Sequence, residues 1–520
     1  MGYVFFNLSY TGGNDDRQKT ERGLFMDSSA HLAALEKDAL RNSLQENLDH
    51  MRIIEQDSSD LMINPVTVGG ISCALICCEG MLSTSTITDL ILYPMTTLPA
   101  QFTEGSALLE YLQTYRLLST DRIRVTDFAT LFRTVNSGFA VLLAEGADFA
   151  YAFGVQGYDR RGVSEPSSEI NLYGAKDAFT EIVRSNMSLI RRRMKSPLLT
   201  QKLIVCGSVS RTDLCICYLR DRVPKELVAE IQTRLEQIPV ETVLAAGYLR
   251  PYLEQKRPSL FHSTGISERP DVVCAKLLEG RVAVLIDGVP YALVIPQLFW
   301  EVFQTVDDYN CKPVYATLIR WLKYLAFLLA VLLPGVYLAV ATWHPYLLHA
   351  TLLQLLAQSE HSAPFSPAAE LVGVLLVYEI IREAGLRLPK AVSGAVSIVG
   401  GLIIGDAAVS SGLISTPLLT IAAISVTAGF VTPELHQQIT ILRLMFVAAG
   451  GLLGLNGIGI LICMTLYQLC ATETFGFPIT APVVPFSGRW LRDVLYRQAF
   501  RRMAKGNFTV EEVRQQHHAQ

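Results

Sequence analysis

The spacing of apolar residues divides this chain into two unlike parts. Up to about residue 317, apolar residues occur in short runs between polar ones, which is typical of a globular protein. From Leu318 to Gly488 they occur in long runs, some of which exceed the roughly 20 residues that a helix needs to cross a bilayer. The pattern therefore predicts a polytopic α-helical membrane domain preceded by a soluble part.

Within the soluble part, a first unit (31–197) mixes predicted helices with strands. Leucines that recur between His31 and Glu55 predict an amphipathic helix with one apolar face. Further predicted helices are Ser106–Leu118 and Phe179–Met194, and predicted strands are Cys73–Cys78, Gly138–Leu143 and Phe149–Phe153. This mixture predicts an α/β or α+β fold.

A second unit (198–317) repeats this mixture. Asp287-Gly288 between two apolar runs is a strong signal for a β-hairpin, because glycine readily adopts a positive φ. Predicted strands are Lys202–Val209, Asp213–Leu219, Arg281–Ile286 and Tyr291–Ile295, and predicted helices are Pro224–Gln237 and Val272–Leu278. The soluble part is thus expected to be a two-part α/β (α+β) domain.

The apolar part (318–488) breaks into six segments. These are Leu318–Thr342, Pro345–Ala357, Ala368–Ile381, Ala391–Leu413, Ile414–Val431 and Ile439–Cys470. Pro345–Ala357 is short and suits an interfacial or re-entrant helix. We predict four full spans plus a re-entrant or half helix, for which the short and acidic Ala368–Ile381 is the best candidate.

Charge sharpens this division. Charged residues make up 18% of the chain, but only 13 of them lie among the 171 residues from Leu318 to Gly488. The segment 489–505 has six basic residues and one acidic residue, and the positive-inside rule then places the tail (489–520) in the cytoplasm. The N-terminal 30 residues form a polar arm without a secretory signal pattern, so we expect the soluble part on the same side.

Composition also limits the function. The soluble part is mildly acidic and has no basic stripe, which argues against nucleic acid as a partner. Ten cysteines are scattered without the spacing of a zinc site or a disulfide framework. No combination of nucleophile, base or phosphate loop is present, so we expect no enzyme activity, metal or cofactor.

Charges at bilayer depth are costly and therefore indicate function. Asp406 lies within Ala391–Leu413 and is followed by Ser410 and Ser411, which share overlapping helix faces with it. These three residues are candidates for lining a pore; the alternative is a hydrogen-bonded aspartate packed between helices.

Glu379 and Glu383 are four residues apart and therefore share a helix face. In an oligomer they would form a ring of carboxylates at a pore mouth. The alternative is a salt-bridge cluster with neighbouring cations, which are Arg382, Arg387 and Lys390.

Two further groups of residues suggest contacts. Glycines four residues apart let helices approach closely, which makes Gly401, Gly405, Gly450 and Gly454 candidates for helix packing. A basic cluster, Arg191, Arg192 and Arg193, could contact acidic residues of a neighbouring subunit such as Glu165 and Glu169, or could simply be the solvated end of a helix.

Several long motifs resemble the GerA-type spore germination proteins. They include Glu268–Pro290 ahead of the first span and Arg161–Glu169 in the first unit. In the apolar part, Arg382–Pro389, Ser397–Gly405 and Phe475–Pro478 resemble the family's transmembrane and C-terminal motifs. The resemblance extends from about Asp60 to Pro485.

The resemblance implies the A subunit of a germinant receptor in the spore inner membrane. Such a subunit is expected to form a homo-oligomer around an ion pathway and to act with a transporter-like B subunit, which binds nutrient, and a C-subunit lipoprotein. Two alternatives stay open, a SpoVAF-like component of the spore's ion and dipicolinate release machinery and a secondary transporter.

Overall fold

The computed structural model describes most of the chain between residues 34 and 499. The described residues are 34–56, 58–96, 98, 101–115, 121–157, 166, 169, 171–254, 259–361, 363–388, 405–484, 486 and 490–499. Two predicted site residues, Glu165 and Gly401, lie outside the described residues, as do the N-terminal arm and the tail beyond residue 499.

The first unit is built on a five-stranded antiparallel sheet. Its strands are β1 (Leu61–Val68), β2 (Ile71–Cys78), β3 (Arg122–Val125), β4 (Phe139–Ala144) and β5 (Ala150–Gly154), in the order β1-β2-β4-β5-β3. Helices α1 (Leu44–Glu55) and α3 (Phe128–Val135) cover one face, and α2 (Gly105–Tyr115) covers the other. Because both faces are buried, the central strand β4 is a continuous apolar run rather than an alternating one.

The second unit repeats this arrangement. Its strands are β6 (Leu199–Cys206), β7 (Thr212–Leu219), β8 (Gly265–Ser267), β9 (Val282–Ile286) and β10 (Ala292–Ile295), in the order β6-β7-β9-β10-β8. Helices α4 (Val183–Arg193) and α6 (Pro270–Leu278) pack on one face, and α5 (Lys225–Glu236) packs on the other.

Both sheets are antiparallel throughout, so the fold of the soluble part is α+β rather than α/β. The predicted hairpin is present: β9 and β10 pair across Asp287-Gly288, and Gly288 has a φ of 80°. The boundary predicted at Leu198 assigns α4 to the first unit, whereas α4 packs against the sheet of the second unit.

The C-terminal half is helical. It contains α7 (Pro313–Trp343), α8 (Ala350–His361), α9 (Pro367–Arg387), α10 (Thr416–Gly429) and α11 (His436–Ala471). Among the described residues, two helical segments are long and apolar enough to cross a membrane, Pro313–Trp343 and Pro433–Ala471. The segment predicted as a half helix, Ala368–Ile381, belongs to α9, which continues to Arg387 over 21 residues.

Helix α11 is a hairpin rather than the single long segment that its apolar pattern predicts. Gly454 has non-helical angles (φ 61°, ψ −147°) and interrupts the helix. A Cβ placed on Gly457 would lie 2.5 Å from the carbonyl oxygen of Ala449, although a straight helix would separate residues eight apart by about 12 Å. The chain therefore reverses at Gly454, and its two halves pack against each other.

The reversal returns the chain to the soluble part. After α11, the Thr472 and Ser259 hydroxyls lie 2.9 Å apart, and Trp300 Nε1 donates to the Thr480 carbonyl oxygen at 2.9 Å. Gln304 donates to the Asp493 carbonyl oxygen at 2.8 Å. The end of the helical part that adjoins the soluble part is called the base below, and the C-terminal segment lies at this base.

Candidate functional site

A cavity of about 750 Å³ lies between the second soluble unit and the base of the helical part. We call it the junction cavity. On the soluble side its wall comes from β8, α6 and the loops next to them, and on the helical side from α7, the end of α9 and the start of α11. Its charged lining residues are Glu169, Arg250, Arg269, Lys276, Arg281, Glu301, Lys323, Arg382, Glu383 and Glu434.

Buried ion pairs hold the soluble wall in place. Arg281, which precedes β9 and is fully buried, donates from Nη1 to Glu301 Oε2 at 2.6 Å. Lys276 Nζ lies 3.1 Å from Glu301 Oε1. Burial alone would raise the pKa of Glu301, but Arg281 and Lys276 outweigh it and hold that pKa below its usual range. Glu301 is therefore a charged structural residue.

Glu169 has a different environment. It accepts a hydrogen bond from the Ser267 hydroxyl at 3.0 Å and one from the backbone N–H of Glu268 at 3.2 Å. Burial raises the pKa of Glu169 to about 7, and the nearby carboxylates of Glu434 and Glu268 act in the same direction. Arg269 Nη1 donates to the backbone carbonyl oxygen of Glu169 at 3.3 Å, but the described structure shows no salt bridge to the Glu169 carboxylate.

A second set of buried ion pairs joins α7, at the base, to the turn that precedes it and to the C-terminal segment. Asp308 lies 3.3 Å from Arg320 and 3.3 Å from Lys323, both of which are on α7. Arg320 also pairs with Asp493 of the C-terminal segment at 3.3 Å. Because Arg320 is fully buried, this network fixes α7 relative to the soluble part and the C-terminal segment.

Higher in the helical part, Arg443 joins three helices. Pro334 has no N–H, so the Ala330 carbonyl of α7 loses its usual partner within the helix. Ser425 on α10 donates to this oxygen at 2.8 Å, and Arg443 Nε on α11 donates to it at 3.0 Å. A buried arginine thereby completes the hydrogen bonding of a proline-interrupted helix.

The two predicted carboxylates of α9 differ in their surroundings. Glu379 accepts from Arg382 at 2.9 Å and from the Thr440 hydroxyl of α11 at 2.9 Å. Glu383 pairs with Arg387 at 2.7 Å, and both side chains are exposed. Both glutamates thus have cationic neighbours within one subunit, and Glu379 also connects α9 with α11.

The residues around Asp406 lie in a helical turn at 405–410 that is exposed in the single chain. Asp406, Ser410 and Ser411 are all exposed, and the two serine hydroxyls donate to carbonyl oxygens of their own helix. A Cβ on Gly405 would lie 4.0 Å from Leu419 of α10, which is an ordinary contact.

Gly450 and Gly454 lie at close contacts between α7 and α11. A Cβ on Gly450 would lie 2.3 Å from the carbonyl oxygen of Gly335. Gly454 is at the chain reversal, beside the side chains of Trp343 and His344 at the end of α7.

The basic cluster of α4 makes contacts within the chain. Arg191 is buried and holds Asp60 with two hydrogen bonds, of 2.7 Å and 2.9 Å, so its guanidinium has no surface left for a second subunit. Arg193 pairs with Asp177, while Arg192 is exposed. Glu169 lines the junction cavity and does not meet this cluster.

Sequence reasoning missed the residues that organise the base and the helix contacts. Arg443 is a charge within a long apolar segment, so the rule that selected Asp406 also applies to it. Arg320 and Lys323 stand at the start of a span, where cations are common, and nothing in their spacing indicates burial beside Asp308.

The described chain thus consists of an α+β part joined by buried ion pairs to a set of apolar helices, two of which are long enough to cross a membrane. The family model described as "Bacillus/Clostridium GerA spore germination protein" matches residues 49–507. This chain therefore belongs to the GerA family of spore germination proteins, which confirms the resemblance found in the sequence and is not a known enzyme family.

Individual relatives agree with this family. Spore germination protein KA of Bacillus subtilis (strain 168) is 33% identical over 461 residues, which cover 88% of this chain and 84% of that protein. Spore germination protein GerLA of Bacillus cereus is 30% identical, over 86% of this chain and 91% of that protein.

Among solved structures, the chain is similar to the N-terminal domain of the A subunit of the Bacillus megaterium spore germinant receptor GerK3. The two are 26% identical, and the match covers 50% of this chain and 98% of that chain with a TM-score of 0.40.

Proposed function

We propose that this protein is the A subunit of a germinant receptor, and that several copies surround an ion pathway in the spore inner membrane. The observation that carries the proposal is the family match, which spans both the soluble and the helical part. A transporter-like B subunit and a C-subunit lipoprotein are the expected partners, and nutrient binding on the B subunit would open the pathway.

The contacts of the helical part support this mechanism. Arg443 and Glu379 place charged groups between helices, where two arrangements of the helices would differ in hydrogen bonding. Nutrient would shift the population toward the open arrangement only if the partner binds that arrangement more tightly. The contact of the C-terminal segment with the soluble part supports our placement of both on the cytoplasmic side.

Conductance tests the proposal directly. The full chain is reconstituted with its partner subunits in liposomes, and ion flux is compared for the wild type, Asp406→Asn and Glu379→Gln. A carboxylate about 4 Å from a permeating cation contributes about 1 kcal/mol in water, so its loss should lower the flux about fivefold. Glu226→Gln, an exposed change on α5, is the matched control.

Two results would overturn parts of this proposal. If Asp406→Asn and Glu379→Gln both conduct as well as the wild type, neither residue lies on the ion pathway. A wild type that never conducts, but takes up a solute with saturation, would be a transporter.

A further inference from the structure

Helix α7 exposes an apolar stripe that begins next to the soluble part. Its four side chains are Val314 (82% exposed), Leu318 (64%), Trp321 (56%) and Leu325 (55%). They follow one another after four, three and four residues, which places them on one helix face and is the spacing of a coiled-coil seam. We call these four residues the α7 stripe. An exposed apolar surface of this kind marks a contact with lipid or with another protein surface.

The lower part of the α7 stripe lies outside the hydrocarbon core of a bilayer. The 31 residues of α7 extend over about 46 Å, whereas that core is about 30 Å thick. The excess of about 16 Å lies at the base, because Arg320 and Lys323 each pair there with Asp308, which belongs to the turn before α7. The two stripe residues that precede Arg320 are therefore not covered by lipid tails.

The partner of this surface must itself be apolar. Arg320 and Lys323 are the only charged residues in the sequence of α7, and both are buried on the face opposite the stripe. Tyr315 and Leu322 are exposed and widen the stripe. A buried aromatic side chain covers about 150–250 Å², so Tyr315 and Trp321 alone expose on the order of 200 Å². The whole surface thus reaches the size of the largest apolar patches on monomers, about 300–600 Å².

A second copy of this chain offers a matching surface at the same height. Copies related by rotation about the membrane normal share their orientation, so their α7 helices run parallel. In a parallel coiled coil, equivalent seam positions of neighbouring helices face each other.

We propose that the α7 stripe packs against the α7 stripe of a neighbouring copy, with layers at Leu318 and Trp321 that lie outside the bilayer core. The contact deepens the proposed function, because it rests on the assembly of several copies and says which surface joins them.

The same helical turns then serve two contacts. On one face, Arg320 and Lys323 hold α7 to the turn at Asp307–Asn310, and on the other face the stripe holds α7 to the neighbouring copy. A displacement of α7 relative to the soluble part in one copy is thereby transmitted to the next copy.

Photo-cross-linking tests this contact in the full chain, reconstituted in liposomes with its partner subunits. The photoreactive amino acid p-benzoylphenylalanine replaces Leu318, and two differently tagged versions of the chain are produced together. We expect irradiation to join two copies into one product that carries both tags. Its yield should exceed that of the control at least about tenfold, because the burial of one leucine-sized side chain shifts an equilibrium by about this factor. The control carries the same replacement at Ile53, which is 69% exposed on α1 of the first unit.

A charged variant tests the same contact without relying on one cross-linking site. Leu318→Glu places like charges opposite each other in neighbouring copies, and should lower cross-linking from p-benzoylphenylalanine at Leu325 at least about tenfold. Because Leu318 is exposed in the single chain, this variant should unfold thermally as the wild type does in detergent. Ile53→Glu should leave the cross-linking unchanged.

Three results would overturn the inference. They are attachment of lipid at Leu318, attachment of another subunit there instead of a second copy, and a yield no higher than that of the Ile53 control. An assembly that conducts ions without this cross-link would overturn the contact and leave the proposed function in place. Copies that cross-link in an assembly that never conducts would overturn the proposed ion pathway and leave the contact in place.

Discussion

Glu55 shows how one buried acid links stability to pH. It lies at the end of α1, is 3% exposed, and neither of its carboxylate oxygens has a hydrogen-bond partner in the described structure. Burial raises the pKa of Glu55 from 4.5 to about 7, although the guanidinium of Arg191 acts in the opposite direction. Folding therefore opposes the ionisation of this residue.

The sign of the pH effect follows from the two states. Below pH 4.5 Glu55 is protonated whether the chain is folded or unfolded, so it has no pH-linked effect. Between about pH 4.5 and 7 the unfolded chain ionises first, and above pH 7 the full penalty of about 3 kcal/mol applies. Glu55 thus destabilises the soluble part in neutral and alkaline solution.

We expect Glu55→Gln to increase the free energy of unfolding of the full chain more at pH 8 than at pH 4. The relative gain should approach about 3 kcal/mol, because glutamine cannot ionise. Thermal unfolding in detergent at both pH values measures it, and Glu46→Gln, an exposed change on the same helix, is the control. Equal effects of Glu55→Gln at the two pH values would contradict this assignment.

At the scale of elements, the packing of α7 against α11 depends on two glycines. A Cβ on Gly450 would lie 2.3 Å from the Gly335 carbonyl oxygen, and a Cβ on Gly335 would lie 2.5 Å from that of Phe446. The obstructing atoms belong to backbones, which cannot move aside as a flexible side chain can. The two helices must therefore separate if either glycine gains a side chain.

Gly450→Ala should destabilise the helical part by at least about 1–3 kcal/mol, the usual cost of overpacking. Gly459→Ala is the matched control, because no atom lies within 4 Å of its added Cβ and alanine favours helix by up to about 1 kcal/mol. Thermal unfolding in detergent compares the two variants. A Gly450→Ala protein as stable as Gly459→Ala would show that the close contact of α7 with α11 is absent in solution.

The whole molecule shows which features can be predicted from sequence. Apolar runs identify β2, β4 and the β9–β10 hairpin, because strands buried on both faces and an Asp-Gly turn have local signals. The reversal at Gly454 has no such signal, since one glycine in an apolar run is compatible with a continuous helix.

The candidate site was less predictable because, like the reversal at Gly454, it has no local signal in the sequence. Glu169 and Glu434 are 265 positions apart in the sequence, and only the folded chain brings both to the junction cavity. Charges at span depth could be found by composition, as Asp406 was, but their partners depend on tertiary contacts. The two ion pairs of Arg320, with Asp308 and with Asp493, are the clearest example. They join α7, the turn before it and the C-terminal segment, which no local sequence pattern connects.

This ion network predicts how the soluble and helical parts are coupled. Removing one partner of a buried ion pair costs about 3–5 kcal/mol, because the remaining charges are left uncompensated. Arg320→Met should therefore loosen both the turn at Asp307–Asn310 and the C-terminal segment, and increase chymotrypsin cleavage near Tyr309 and Tyr496 at least about tenfold. Limited proteolysis of the full chain in detergent, with fragments identified by mass, measures this. The control Lys312→Met, an exposed change at the start of α7, should be cleaved at the wild-type rate. If Arg320→Met is also cleaved no faster than the wild type, the network does not hold the two parts together.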